Sequence, residues 1–324
     1  MKRSKVTKVI AASLMGMLLV TGCGGGAAKD NSADAEPLKV GLLRIDDSFP
    51  FYVAEQEGLF EKHNVAVELQ GFSNARDQST ALQGGELDVL MTDTVVTALS
   101  IKGGADIRIV AFALGAQPEE GRFVVVSAPN SDITSPEQLK GKNIAISNNT
   151  MMDYLIDQFE DELQLGDLTT VNMPDLMLRT TTVLEGKDID AAILPDPLAA
   201  FALAEGANAV IDDTTLGVNL SQSVVAVTSE AIDENREQVA AMLAAYNEAI
   251  ELINANPDKY RAFALECANV PEALADTYPT PSFTANAVPT QEQIARVNTW
   301  LVEKELLSEP YAYGQMVDDS FVQD

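Results

Sequence analysis

A strand–helix–strand–helix–strand pattern occurs twice in this chain, and the second copy follows the first by roughly a hundred residues. In the first copy, short apolar strands are predicted at 38–43, 65–69 and 87–91, with helices at 51–60 and 74–82. In the second copy, strands are predicted at 143–146, 168–171 and 189–194, with helices at 151–163 and 176–184. This alternation predicts mainly parallel sheets flanked by helices.

The clearest internal match aligns LQGGELD (Leu82–Asp88) with LEGKDID (Leu184–Asp190), 102 residues later. We interpret the match as two lobes of like topology. The alternative is a chance similarity between two ordinary αβ units, because a Gly-acid-apolar-Asp sequence is common before strands. Two further apolar runs, 123–128 and 223–228, are predicted as strands that lead out of lobe one and back into it. The predicted lobes are therefore 38–124 with 226–324 for lobe one and 125–225 for lobe two.

The first 22 residues have the pattern of a secretory signal peptide. A basic start precedes a 12-residue apolar run from Val9 to Val20, which is too short for a permanent membrane span of about 20 residues. The following VTGC (Val20–Cys23) predicts cleavage before Cys23 and attachment of lipid to it, although a cysteine can also follow a signal peptide without lipidation. Residues 23–37 contain little that could enter a core, and we expect them to form a flexible tether.

Composition narrows the possible functions. The chain has 49 acidic and 21 basic residues and a formal net charge of −28, which disfavours binding to nucleic acids and to anionic membrane surfaces. With 46% hydrophobic residues, it has enough apolar material for packed cores. His63 is the only histidine, and no GxSxG, HExxH, P-loop or CxxC motif is present. We therefore expect no enzymatic activity, no metal site and no cofactor.

Four longer segments resemble a known family: FYVAEQEGLFEKHNVAVELQGF (51–72), LQGGELDVLMTD (82–93), SPEQLKGKNIAIS (135–147) and DIDAAILPDPLA (188–199). They are similar to solute-binding lipoproteins of bacterial ABC importers, in the branch for nitrate, sulfonates, taurine and thiamine precursors. The resemblance implies an α/β, two-lobed type II periplasmic-binding-protein fold, with two mainly parallel sheets flanked by helices and a hinge of two crossovers.

The same resemblance implies a function. The lobes would close on a small polar solute, and the loaded, monomeric protein would dock on a permease that works with an ATPase. The lipid on Cys23 would hold it at the outer side of the cell membrane. Two alternatives remain open, because relatives of this fold include enzymes of thiamine-precursor and menaquinone biosynthesis, and because a lipoprotein of this kind can sense a ligand without transporting it.

Ligands of open parallel sheets bind at the carboxyl ends of the strands, so we expect the solute at four strand exits and at the return crossover. The candidate ligand-binding residues are Arg44, Asp46, Ser48, Phe49, Phe51, Thr92, Asp93, Thr94, Ser147, Asn148, Asn149, Thr150, Pro195, Asp196, Ser221 and Gln222. Several have a simpler structural explanation, which for Ser221 and Gln222 is a role in the hinge. The polar residues 147–150 cap a helix whose free N–H groups could also bind an anion, and Asp93 and Asp196 are either helix caps or ligands for an amine. Phe49 and Phe51 either stack on a planar solute or pack inside lobe one.

The charged residues of the sequence bear on the charge of the solute. Arg44 could pair with an anionic solute or with Asp46, and surface ion pairs are the default for Arg76, Arg108, Arg122 and Arg179. The predicted loops contain many carboxylates. This favours a neutral or amine-bearing heterocycle over a sulfonate or nitrate.

Overall fold

The computed structural model describes residues 36–267, 270 and 274–322. The predicted signal peptide (1–22), Cys23 and the tether as far as residue 35 lie outside the described residues. None of the helices in the described ranges is both long and apolar enough to span a bilayer.

The first sheet has the strand order β2-β1-β3-β10-β4. Its strands are β1 (Leu38–Leu43), β2 (Val67–Phe72), β3 (Val89–Asp93), β4 (Ile107–Leu114) and β10 (Ser223–Thr228). β1 pairs in parallel with β2 and β3, whereas β10 is antiparallel to both β3 and β4. Four strands therefore run in one direction and β10 runs in the other.

The second sheet repeats this arrangement with the order β7-β6-β8-β5-β9. Its strands are β5 (Phe123–Ser127), β6 (Asn143–Ile146), β7 (Thr169–Asn172), β8 (Ala191–Pro195) and β9 (Asn208–Asp212). β6 pairs in parallel with β7 and β8, and β5 is the antiparallel strand between β8 and β9. The predicted two-lobed α/β fold is confirmed. The proposed lobe boundaries, after residues 124 and 225, fall inside β5 and β10.

Helices cover the sheets. They are α1 (Phe49–Gln56), α2 (Leu59–Lys62), α3 (Ala75–Gln83), α4 (Thr94–Lys102), α5 (Met151–Leu163), α6 (Leu176–Glu185), α7 (Leu198–Ala204), α8 (Ser229–Ala255), α9 (Pro257–Cys267), α10 (Gln291–Glu303) and α11 (Tyr313–Met316). The bounds of β6 and α5 agree with those predicted from the sequence. In contrast, β4, β9, α4 and α7 are not predicted, and β2 begins two residues later than the predicted strand.

Helix α10, in the C-terminal part of the chain, contacts both halves of the molecule. It packs on α4 beside the first sheet. Its Trp300 indole N–H donates to Asp157 on α5 at 2.6 Å, and the Trp300 ring meets Tyr154 edge to face with centroids 5.4 Å apart. One apolar cluster therefore contains residues from both sheets, including Ile109 of β4 and Ile144 of β6.

Two crossovers, 115–122 and 213–222, join the sheets and are bonded to each other. The Ser221 hydroxyl donates to the Gly121 carbonyl at 3.1 Å, and the Phe123 N–H donates to the Asp213 carboxylate at 2.8 Å. Gly115 has a φ of +89°, and a Cβ there would lie 1.8 Å from the carbonyl oxygen of Ser221. The first crossover therefore needs glycine at this position to approach the second.

Candidate functional site

The carboxyl ends of β1, β3, β6 and β8 meet at a cleft between the two sheets, and three cavities follow one another along it. Their volumes are about 520, 60 and 470 Å³. The first and second share Asp47, Phe123 and Pro195 in their linings, and the second and third share Ala75, Ser147, Thr150 and Pro174. We call them the acidic, central and polar cavities. The strand exits of both sheets thus line one continuous cleft.

The acidic cavity is lined by Asp46, Asp47, Glu119, Glu120, Arg122, Asp196 and Tyr278, among others. Asp46 and Asp47 follow β1 in a short 3₁₀ turn and are only 5% and 6% exposed. The Tyr278 hydroxyl donates to the Asp46 carboxylate. Burial, together with the nearby carboxylates of Asp196 and Asp47, raises the pKa of Asp46 to about 8 despite this hydrogen bond. Burial also raises the pKa of Asp47, whose carboxylate is hydrogen-bonded to Ser223.

Asp196 faces the same cavity from the end of β8. One of its oxygens accepts from the backbone N–H of Ala200 in the first turn of α7 at 3.0 Å. The N-cap of α7 is Pro197 and not Asp196, so the helix begins one residue later than the predicted cap implies. The other oxygen of Asp196 lies 3.6 Å from Nη1 of Arg122. Burial raises the pKa of Asp196 even though Arg122 acts in the opposite direction. Arg122 makes a shorter contact with Asp212, at 2.6 Å, so its positive charge is shared between two carboxylates.

The central cavity lies around the end of β3. Asp93 caps α4 by accepting from Val96 N–H at 2.7 Å, and its other oxygen accepts from Met151 N–H at 3.1 Å. This second bond crosses the cleft from one sheet to the helix of the other. Burial raises the pKa of Asp93 to about 6. The neighbouring Thr92 hydroxyl is buried and has no hydrogen-bond partner in the described part of the chain.

The polar cavity contains the turn that precedes α5. Thr150 is the N-cap of α5 and accepts from Met152 N–H at 3.2 Å. The Asn148 N–H donates to the Asn172 side chain at 3.1 Å, and the Asn149 N–H donates to Asp153 at 2.9 Å. Arg76 from α3 lines the opposite wall of this cavity. The turn therefore caps its helix with local partners and also faces the cleft.

Nine of the sequence-predicted residues line the three cavities: Asp46, Thr92, Asp93, Ser147, Asn148, Asn149, Thr150, Pro195 and Asp196. They come from four separate strand exits, and the fold brings them to one cleft. Their roles in solute binding stay predictions.

The other seven predicted residues line none of these cavities: Arg44, Ser48, Phe49, Phe51, Thr94, Ser221 and Gln222. Arg44 is exposed. Phe49 packs against Phe263 with ring centroids 5.8 Å apart, and Phe51 packs against Tyr246 at 4.7 Å, so both rings belong to the apolar core around β1. Ser48 and Thr94 are buried, and the Ser221 hydroxyl donates to Asp213 within the crossovers.

The lining also includes residues outside the predicted set. Asp47 lies beside the predicted Asp46, Glu119 and Glu120 belong to the first crossover, and Tyr278 comes from the C-terminal part of the chain. The only sequence signal for Tyr278 is its place in a Pro-rich stretch, which indicates a stiff connection without indicating its position. Arg179 is buried and donates to the carbonyls of Met173 and Ile193, but it lines none of the three cavities.

Comparison with known proteins agrees with this architecture. A family model described as NMT1/THI5 like matches residues 46–260. A Brachyspira hyodysenteriae protein, whose name places it among ABC transporter periplasmic binding proteins, is 26% identical over 271 residues, which cover 78% of this chain and 76% of the relative.

Two solved structures share the fold. The periplasmic aliphatic sulphonate binding protein SsuA from Escherichia coli matches with a TM-score of 0.70 and 19% identity, over 88% of this chain and 92% of its own. The desulfurization enzyme DSZB matches with a TM-score of 0.62 and 16% identity, over 89% of this chain and 98% of its own. At these identities the two matches establish the fold alone.

Proposed function

The chain belongs to the NMT1/THI5-like family, and from this premise we propose that it is an extracytoplasmic solute-binding protein of an ABC importer. The observation that carries the proposal is the continuous cleft lined by the ends of β1, β3, β6 and β8. Its largest cavity, at about 520 Å³, lies within the range of roughly 300 to 1,000 Å³ that is usual for small-molecule sites. The two crossovers provide a hinge about which the cleft can open to admit one small polar solute.

The proposal includes the anchor and the partners. Lipid on Cys23 would tether the monomer to the outer side of the membrane, and the loaded form would deliver its solute to a permease with its ATPase. The name of the Brachyspira hyodysenteriae relative supports the transport role. Replacement of Cys23 by Ala tests the anchor, because the variant should take up no labelled palmitate whereas the unmodified protein should be labelled. Labelling of the Cys23→Ala protein, or no labelling of the unmodified protein, would contradict it.

Thermal-shift measurements with the purified mature protein test solute binding. The panel contains sulfonates, nitrate, amino acids, pyrimidines and flavins, and calorimetry then measures the affinity and stoichiometry of any solute that raises the melting temperature. We expect one solute per chain. Asn148→Ala and Asp196→Ala should weaken its binding, whereas Asp233→Ala, at an exposed position on α8, should not. If no solute in the panel stabilises the protein, a binding role loses its support.

The fold of DSZB supports a second candidate, an enzyme acting on a small molecule in the same cleft. Incubation of the mature protein with each solute that it binds separates the two candidates. Stoichiometric binding without product supports the importer role, and turnover supports the enzyme.

A ligand sensor without transport would bind the solute, but cells that lack the protein would take up the labelled solute as well as cells that have it.

A further inference from the structure

Negative charge is concentrated in the acidic cavity. Its described lining contains five carboxylates, from Asp46, Asp47, Glu119, Glu120 and Asp196, and one guanidinium, from Arg122. Arg122 is already engaged with Asp212 at 2.6 Å and with Asp196 at 3.6 Å. The cavity therefore holds more carboxyl groups than its own arginine can pair with, and a bound cation would favour their ionised forms.

Three of these carboxylates lie where a solute would be enclosed. Asp46 and Asp47 enter from the first sheet and Asp196 enters from the second. Burial, and to a smaller extent the carboxylates of Asp196 and Asp47, raises the pKa of Asp46. Bringing like charges together in a poorly solvated cavity is unfavourable unless a counter-charge joins them. A cation bound between the two walls would remove this repulsion and would hold the cleft closed.

The adjoining central cavity is unsuited to an anion. The N-terminus of α5, which could bind an anionic group, is already occupied by the Asp93 carboxylate through Met151 N–H. The same cavity is lined by Thr92, which is 5% exposed and whose hydroxyl has no hydrogen-bond partner among the described residues. An unpaired buried hydroxyl is unfavourable, so a hydrogen bond to a polar atom of the solute would stabilise this group.

The cation is better matched by an organic molecule than by a metal ion. Within the described residues, no group of three or more His, Cys, Asp or Glu side chains is arranged to hold a metal ion. The volume of about 520 Å³ also exceeds what a single ion needs. Tyr278 adds an aromatic side chain to the wall of the cavity.

We propose that the solute carries a positively charged nitrogen group, an ammonium or an amidinium, held between the carboxylates of Asp46, Asp47 and Asp196, with a second polar group near Thr92. This inference rests on the proposed solute-binding function and deepens it by giving the charge of the solute. It distinguishes this chain from a binder of sulfonates, whose anionic group the acidic cavity would repel.

A panel matched in shape and varied in charge tests the inference. Benzylamine, benzamidine, agmatine and putrescine are the cationic probes, benzyl alcohol and butanol are the neutral counterparts, and benzenesulfonate and butanesulfonate are the anions. We expect only cations to raise the melting temperature of the mature protein. The affinity of the best cation, measured by calorimetry, should fall at least about tenfold in each of Asp46→Asn, Asp47→Asn and Asp196→Asn.

The exposed Asp233→Asn on α8 is the matched control, because it makes the same change in net charge away from the cleft. Its affinity for the cation should equal that of the unmodified protein. The melting temperature of each variant without probe verifies that it folds. Thr92→Val should weaken only probes that carry a second polar group, such as agmatine, relative to benzylamine.

The possible failures are distinct. Stabilisation by a sulfonate, or equal stabilisation by benzylamine and benzyl alcohol, would overturn the cationic solute and leave the binding function intact. Unchanged cation affinity in all three Asp→Asn variants would also overturn it. If no probe of any charge stabilises the protein, both the inference and the proposed function fail.

Discussion

The Asp93 carboxylate, at the end of β3, accepts a hydrogen bond from the backbone N–H of Met151, the first residue of α5, at 3.1 Å. Its other oxygen caps α4 through Val96 N–H. Asp93 is thus the last residue of β3 and the N-cap of α4, and it is also hydrogen-bonded to α5 beside the other sheet. Closure of the cleft and the local stability of α4 therefore depend on the same carboxylate.

Substitutions at Asp93 should separate these two roles. Asp93→Ala removes the cap of α4 and should lower the free energy of unfolding by about 1 kcal/mol in urea denaturation. Asp93→Asn keeps a cap acceptor, so its stability should stay within about 0.5 kcal/mol. However, its amide replaces the acceptor that faces Met151 by a donor, and small-angle scattering should show a larger radius of gyration because the cleft opens.

Asp175→Asn is the control for this opening. Asp175 caps α6 by accepting from Leu178 N–H at 2.8 Å and lines none of the three cavities. The radius of gyration of the Asp175→Asn variant should equal that of the unmodified protein. If Asp93→Asn and Asp175→Asn scatter alike, the bond to Met151 does not hold the cleft closed.

The solute-free protein should lose stability as the pH rises from about 4 to 8. Burial raises the pKa of Asp46 to about 8 and that of Asp213 to about 7, whereas an unfolded aspartate titrates near 3.9. Between these values the folded chain binds more protons than the unfolded chain, so the free energy of unfolding falls with rising pH. The melting temperature should therefore be higher at pH 5 than at pH 8.

Asp46→Asn removes one of these titratable groups, so it should reduce the difference in melting temperature between pH 5 and pH 8. Asp233→Asn, with the same change in net charge at an exposed position, should leave it unchanged. An equal difference in melting temperature in Asp46→Asn and in the unmodified protein would mean that Asp46 is already ionised at pH 5.

The close contact of the crossovers predicts an unequal response of two glycines. Gly115 and Gly104 both have positive φ, at +89° and +97°, but a Cβ on Gly104 would meet nothing within 4 Å. Ala at either position strains the backbone. Gly115→Ala should cost at least about 2 kcal/mol more in urea denaturation, because its Cβ would overlap the Ser221 carbonyl. Equal losses would mean that the crossovers separate without cost.

Trp300 should contribute to stability through both its indole N–H and its ring. Trp300→Phe loses the bond to Asp157 and should lower the free energy of unfolding by about 1 to 2 kcal/mol. Trp300→Ala also loses the packing against Tyr154 and should cost about 3 to 5 kcal/mol. Tyr313→Phe loses only the partly exposed hydrogen bond from the Tyr313 hydroxyl to the Pro289 carbonyl, and it should lower the free energy of unfolding by about 1 kcal/mol at most. A Trp300→Phe loss no larger than this control would contradict the role of the indole N–H.

Local sequence patterns account for much of the fold. The bounds of β6 and α5 could be predicted because Thr150 caps a periodic helix directly after an apolar strand. The helix α4 could not be predicted, because its sequence, TVVTALSIK, is rich in β-branched residues that are poor helix formers. There the Asp93 cap and burial between the sheet and α10 decide the structure. β4 is an apolar run that is buried except at Arg108, and its periodicity does not distinguish a strand from a buried helix.

By itself, the sequence determined the repeated αβ order and the strand exits that supply Asp46, Asp93, Thr150 and Asp196, because these follow from side-chain periodicity and capping within a few residues. Only the tertiary structure decided which of them face a common cavity. In the folded protein Phe49 and Phe51 are buried in the core, and Tyr278 is hydrogen-bonded to Asp46, which lies 232 residues away in the sequence. Contacts of that kind depend on how distant elements pack against each other, and no local pattern encodes them.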